Sequence, residues 1–102
     1  MGPLFLGFDV GTQSVKALVV DAERGEVVAR CSRPVELIDG LGEGHMEQHP
    51  QDWIDAVVAT GGAVLGEVDA SRVAAIGVSG QQHGCVVLDD ADDVVRPAKL
   101  WC

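Results

Sequence analysis

The chain has 102 residues, with seven Lys and Arg against sixteen Asp and Glu and a formal net charge of −9. That length holds one small domain with a core of ordinary size and no second full domain, and so acidic a balance argues against a nucleic-acid partner gripped through its phosphates. Three cysteines without CxxC or Cys/His spacing fit a reduced, cytoplasmic setting, and no basic n-region or long apolar run points to a signal peptide or a membrane partner.

The first predicted element is a strand from Leu4 to Phe8, apolar except for Gly7. A second follows from about Val15 to Asp21, where Val15, Ala17 and Val19 recur at period two beside Leu18 and Val20. Between them lies Asp9-Val10-Gly11-Thr12-Gln13-Ser14-Val15-Lys16, which reads as a phosphate-handling hairpin. Small residues at Gly11, Thr12 and Ser14 let backbone N–H groups approach phosphate oxygens, while hydroxyls and Lys16 add donors; the Walker pattern is absent. Held between two buried β segments, Asp9 is costly unless it is used. The other reading is a tight turn whose Asp9 merely accepts turn N–H groups.

Ala22-Glu23-Arg24-Gly25 supplies the next turn, and a third strand follows with Val27, Ala29 and Cys31 on its packed face until Pro34 stops it. Residues 4 to 33 therefore read as a β-meander. From Pro34 to Gln48, Gly40, Gly42 and Gly44 describe an irregular connection. His45, Glu47, Gln48 and His49 invite a metal reading, although their spacing matches none of the usual zinc patterns.

Pro50 suits the first turn of a helix predicted over 50 to 66, with Gln51, Asp52 and Asp55 near its positive end. Trp53, Val57 and Val64, beside Ile54, Val58 and Leu65, form its apolar stripe, and Trp53 reads as core rather than as a stacking platform for a ligand. Gly61 and Gly62 signal either close packing against a sheet or a frayed last third.

Val73 to Val78 is a compact apolar run after a helix, which makes it a strand parallel to the first. Val86-Val87-Leu88 and Val94-Val95 then flank an acidic tip, Asp89 to Asp93, as a hairpin. With the first and fourth strands as parallel neighbours, Asp9 and Ser79-Gly80-Gln81-Gln82-His83-Gly84 share the sheet edge at which open α/β sheets bind ligands. Gln82 and His83 then offer donors and acceptors to hydroxyl groups; the alternative is a polar strand exit with a satisfied histidine.

Taken in order, Gly7-Phe8-Asp9-Val10-Gly11-Thr12, Glu47-Gln48-His49-Pro50 leading to Trp53, Ile76 to Gly84, and Arg96-Pro97-Ala98-Lys99-Leu100-Trp101 resemble the N-terminal end of the FGGY carbohydrate kinases, over almost the whole chain. Within that family Gly80-Gln81-Gln82-His83-Gly84 is similar to the xylulokinase branch and unlike glycerol kinases, which carry Arg-Glu after the glutamine. The resemblance implies an α/β, actin-like ATPase or ribonuclease-H-like fold, with residues 1–102 as the N-terminal portion of the first of two domains that close on substrate and ATP. It implies Asp9 as the carboxylate for Mg²⁺-ATP and Gly11, Thr12, Gln13 and Ser14 as the phosphate-facing hairpin. Lys16 falls near the transferred phosphoryl group, Gln82 and His83 touch the ketose, and Trp101 borders that pocket.

The implied reaction is transfer of the ATP γ-phosphoryl group to D-xylulose, giving the 5-phosphate. The aspartate that serves as general base and the adenosine pocket are expected beyond Cys102, so the 102 residues read as a fragment without turnover of its own. Such a fragment would expose a face that later strands and helices cover, and homodimerisation is the expectation. The competing classes are a kinase of another ketose or polyol, a metal-dependent nuclease of ribonuclease-H type, which the acidic balance disfavours, and a non-catalytic sugar-binding or interaction domain.

Overall fold

The computed structural model describes residues 2–82 and 84–100. Strand β1 (Leu4–Val10) runs into β2 (Ser14–Asp21) and β2 into β3 (Glu26–Pro34), forming the antiparallel meander expected from the sequence. The first turn closes where the Gly11 N–H donates to the Ser14 carbonyl at 3.0 Å. The second closes on Gly25, whose φ of +66° favours glycine and whose N–H donates to the Asp21 carbonyl at 2.8 Å. Asp21, itself buried, also accepts from the Arg24 N–H and pairs with Arg72.

One strand face differs from expectation. Ala29 is buried and Cys31 half-buried, as predicted, but Val27 is exposed. The β2–β3 register slips between Val19 and Val20, so Val19 pairs with Ala29 and Val20 with Val27. An extra residue in one strand reverses the alternation beyond it, which carries Val27 to the other face.

After an irregular stretch with Gly40 and Gly44 at positive φ, the two-residue β4 (Glu47–Gln48) leads into helix α1 (Pro50–Leu65), with Gly66 as its C-cap. The helix packs its Ala56, Thr60, Gly61 and Val64 side against β2 and β3, with Trp53 and Val57 at the margin. Ile54 and Val58, expected in the apolar stripe, are exposed. The buried side of the helix instead joins two clusters, Val64 with Ala17, Val19 and Ala29, and Ala56 with Val15 and Val35. Each large apolar side chain buried here, Leu4, Val15, Val19 and Val64 among them, stabilises the fold by about 1.5–3 kcal/mol.

A 3₁₀ turn (Ala70–Arg72) opens on Asp69, whose carboxylate accepts from the Ser71 N–H and hydroxyl; these bonds hold its carboxyl below the usual range. Strand β5 (Val73–Gly80) then lies parallel to β1, completing the order β3-β2-β1-β5. Because the helix covers β2 and β3, Ile76 and Val78 on the helix-side face of β5 are 62% and 69% exposed, so this apolar strand is not buried in the chain as it stands. The expected hairpin reduces to a Leu88–Val94 bridge with the Val95 N–H donating to the Val87 carbonyl. A pairing that the sequence did not suggest joins β4 to β6 (Ala98–Lys99), antiparallel.

Candidate active site

Asp9 sits at the C-terminal end of β1 in register with Lys16 on β2 and Ser79 on β5, and Lys16 is in register with Ser32 on β3. Residues paired across a ladder share a face, so Ser32, Lys16, Asp9 and Ser79 form one polar row across the sheet, on the face away from α1. Leu6 and Phe8, the alternate residues of β1, face the helix. Asp9 is exposed, which corrects the expectation of a buried carboxylate: at the strand end water reaches it, and burial cost is not what marks it. Among the described residues its carboxylate makes no ion pair, although Lys16 stands opposite.

The turn that follows is held from the protein side through its carbonyls. The Val10 carbonyl accepts from the Gln81 N–H at 3.1 Å, Thr12 from the Gln48 Nε2 at 2.7 Å, and Gln13 from the Val35 N–H at 3.0 Å. In a trans peptide the N–H points opposite to the carbonyl, so the N–H of Gln13 faces away from Gln48 and that of Ser14 away from Val35. The Gly11 N–H is already used within the turn, which removes it as a free phosphate donor. Glycine nonetheless suits the turn, because a Cβ would stand 3.2 Å from the Ser14 carbonyl oxygen, tighter than ordinary contact.

The second half of the predicted site arrives at the same edge. The Gln81 N–H bond to Val10 carries the chain from β5 past the turn, and Gln82 is exposed immediately beyond. His83 and Trp101, the other two residues expected at the sugar, lie outside the described residues.

Sequence reasoning placed Gln48 in a weak metal constellation and in the Glu47–Pro50 motif of the family resemblance, and gave it no role of its own. The structure makes it a fully buried junction: its Oε1 accepts from the Trp53 Nε1 at 2.9 Å and from the Gln81 Nε2 at 3.5 Å, while its Nε2 holds Thr12. Its neighbour Glu47 bonds Arg96 at 2.8 Å and Lys99 at 3.4 Å. Burial pushes the Glu47 carboxyl up, but the bonds and charges of Arg96 and Lys99 outweigh it and hold it below the ordinary value. With Glu47 so engaged and His45 and His49 exposed, the metal reading of this segment has no support; among the described residues no group of three His, Cys, Asp or Glu converges. No periodicity could have revealed Gln48, because a buried amide in an irregular segment leaves no repeating pattern.

A Mg²⁺ ion keeps several waters and takes one or two carboxylates. One exposed carboxylate, without an ion pair among the described residues and opposite a lysine, fits such a hydrated ion and does not fit a dry metal cage. A surface groove along Lys16, Leu18, Arg30 and Ser32 lies on the open sheet face. Among the described residues no helix is long and apolar enough to cross a membrane.

Residues 4–102 match the N-terminal domain of the FGGY family of carbohydrate kinases. The chain is 48% identical over 102 residues to a xylulose kinase of Streptomyces coelicolor, covering 98% of this chain and 20% of that one. Among solved structures it is similar to a protein described as a xyloylose kinase from Brucella ovis, with a TM-score of 0.86 and 36% identity over 96% of this chain and 21% of the other. It is also similar to a gluconate kinase from Lactobacillus acidophilus, with a TM-score of 0.88 and 29% identity over 97% of this chain and 20% of that one. The chain thus spans about a fifth of the length of these relatives.

Proposed function

The chain belongs to the FGGY family of carbohydrate kinases, and we propose on that premise that it is the N-terminal portion of an ATP-dependent kinase that phosphorylates D-xylulose to D-xylulose 5-phosphate. The observation that carries the reading is the meeting of the Asp9–Ser14 turn and the Gln81–Gln82 segment on one sheet edge, joined by the Gln81 N–H to Val10 bond. In-line phosphoryl transfer asks the protein mainly to position reactants and offset charge, and this edge carries groups of the right kind for both substrates.

In this reading the N–H groups of Gln13 and Ser14, the hydroxyls of Thr12 and Ser14 and the ammonium of Lys16 hold the phosphates of ATP, with Gly11 keeping the turn narrow. Gln82 and His83 orient the sugar hydroxyls, and Trp101 borders them. When bound, Mg²⁺ supplies positive charge that offsets the phosphate oxygens, and Asp9 is the residue that would hold it. The general base and the adenosine pocket belong to further chain, in keeping with the one-fifth span. The exposed Ile76 and Val78 and the outer edge of β5, unpaired among the described residues, support the same view, since a longer polypeptide would cover them. For the 102 residues alone, that edge supports association of two copies.

The likeness to xylulose kinases supports the ketose, and the likeness to a gluconate kinase at similar TM-score means that the fold alone does not select it. We place the protein in the cytoplasm with small-molecule partners only, neither nucleic acid nor membrane. The deciding experiment is a substrate panel on the whole enzyme with Mg²⁺-ATP. D-xylulose should show the highest kcat/KM, and equal rates on several ketoses and polyols would sink the xylulose assignment.

A further inference from the structure

Resting on the kinase reading above, we propose that Gln48 is a positioning residue that aims the Thr12–Gln13 peptide at the phosphoryl group and ties it to the segment that meets the sugar. The side chain is fully buried, and its three bonds join the turn between β1 and β2, the first turns of α1, and the exit from β5. Thr12 belongs to neither ladder, and among the described residues the Gln48 amide is the donor that its carbonyl meets.

The chemistry of the junction selects a primary amide. One end faces a carbonyl and needs a donor; the other faces the N–H groups of Trp53 and Gln81 and needs an acceptor. An ionised carboxylate satisfies only the second end and repels the Thr12 oxygen, and a thioether satisfies neither. Trp53, which packs against the cluster of Val15, Val35 and Ala56, anchors the acceptor end to the core. The donor end therefore starts from a fixed point, and the direction of the Gln13 N–H follows from it through the planar trans peptide. Misplacing a charge-stabilising donor by a fraction of an ångström affects the transition state more than ground-state binding.

The test uses the whole enzyme with Mg²⁺-ATP and D-xylulose. Gln48→Met keeps volume and removes all three bonds; kcat should fall roughly tenfold to a hundredfold while both KM values move by less than about threefold. Gln48→Glu supplies a reversible version. Burial raises the pKa of the introduced carboxyl, and its neutral form donates to Thr12, so kcat relative to wild type should recover as pH falls. A folded Gln48→Met enzyme with unchanged kcat would overturn the proposal, and so would a Gln48→Glu ratio flat with pH, which decides the matter where the Met variant does not fold. A wild-type enzyme without xylulose-dependent ATP consumption would instead remove the xylulose assignment. The tether is then judged alone, by whether the Trp53 indole N–H resonance moves upfield in Gln48→Met; an unmoved resonance overturns it.

Discussion

The ring of Phe8 stands where a side chain on Gly61 would go: a Cβ at position 61 would lie 2.9 Å from the Phe8 Cζ, whereas at Gly62, one residue on, nothing lies within 4 Å. The pair of glycines in α1 therefore divides. Gly61 allows the helix to descend onto β1, and Gly62 is an exposed position where the helix only loses propensity.

From that division, Gly62→Ala should raise stability by about 0.5–1 kcal/mol. Gly61→Ala should lower it by roughly 1 kcal/mol, overpacking against Phe8 outweighing the helical gain. Denaturant unfolding of the two variants beside the parent checks both signs, and a stabilising Gly61→Ala would mean that Phe8 yields without cost.

Asp9→Asn in the whole enzyme should reduce phosphoryl transfer by roughly a hundredfold or more while sugar affinity stays near its parent value, since Asp9 lies on the phosphate side of the edge. Steady-state kinetics and equilibrium sugar binding separate the two effects. Unchanged turnover would remove Asp9 from the mechanism.

Acid should loosen the β4–β6 pairing through Glu47. Burial opposes the charge, Arg96 and Lys99 favour it more, and the folded carboxyl titrates below its unfolded value. A depressed folded pKa contributes stability that is present above the unfolded value and lost as pH falls through the folded one. The stability gap between parent and Glu47→Gln should accordingly favour the parent at neutral pH and close below the ordinary carboxylate range. A gap independent of pH would show that the ion pairs contribute through shape and not charge.

The 102-residue chain by itself should associate through β5, an eight-residue strand without Pro or charge whose outer edge pairs with no strand among the described residues and whose Ile76 and Val78 are exposed. Its mean mass in sedimentation velocity should rise with concentration, and Val78→Lys should suppress the rise. A monomer at every concentration would count against the homodimer.

Much of this molecule was legible before any fold was known. Period-two alternation and turn residues mark the three strands of the meander, Pro50 and a 3.6-residue repeat mark the helix, and an apolar run after a helix marks β5 as parallel to β1. Each of these signals lies within one segment or follows from chain handedness, and the sharing of an edge by Asp9 and the Gln81–Gln82 segment is their consequence. What tertiary structure alone decided depends on contacts between segments distant in sequence. Such contacts turn Ala56, Thr60 and Gly61 inward instead of Ile54 and Val58, and they move Val27 to the other face through a bulge. They also leave Asp9 at a wet strand end and gather Thr12, Trp53 and Gln81 around Gln48. A hydrogen bond across thirty-six residues, such as that from Gln48 to Thr12, leaves no periodic trace, because its partners are chosen by packing and by the need to satisfy buried polar groups.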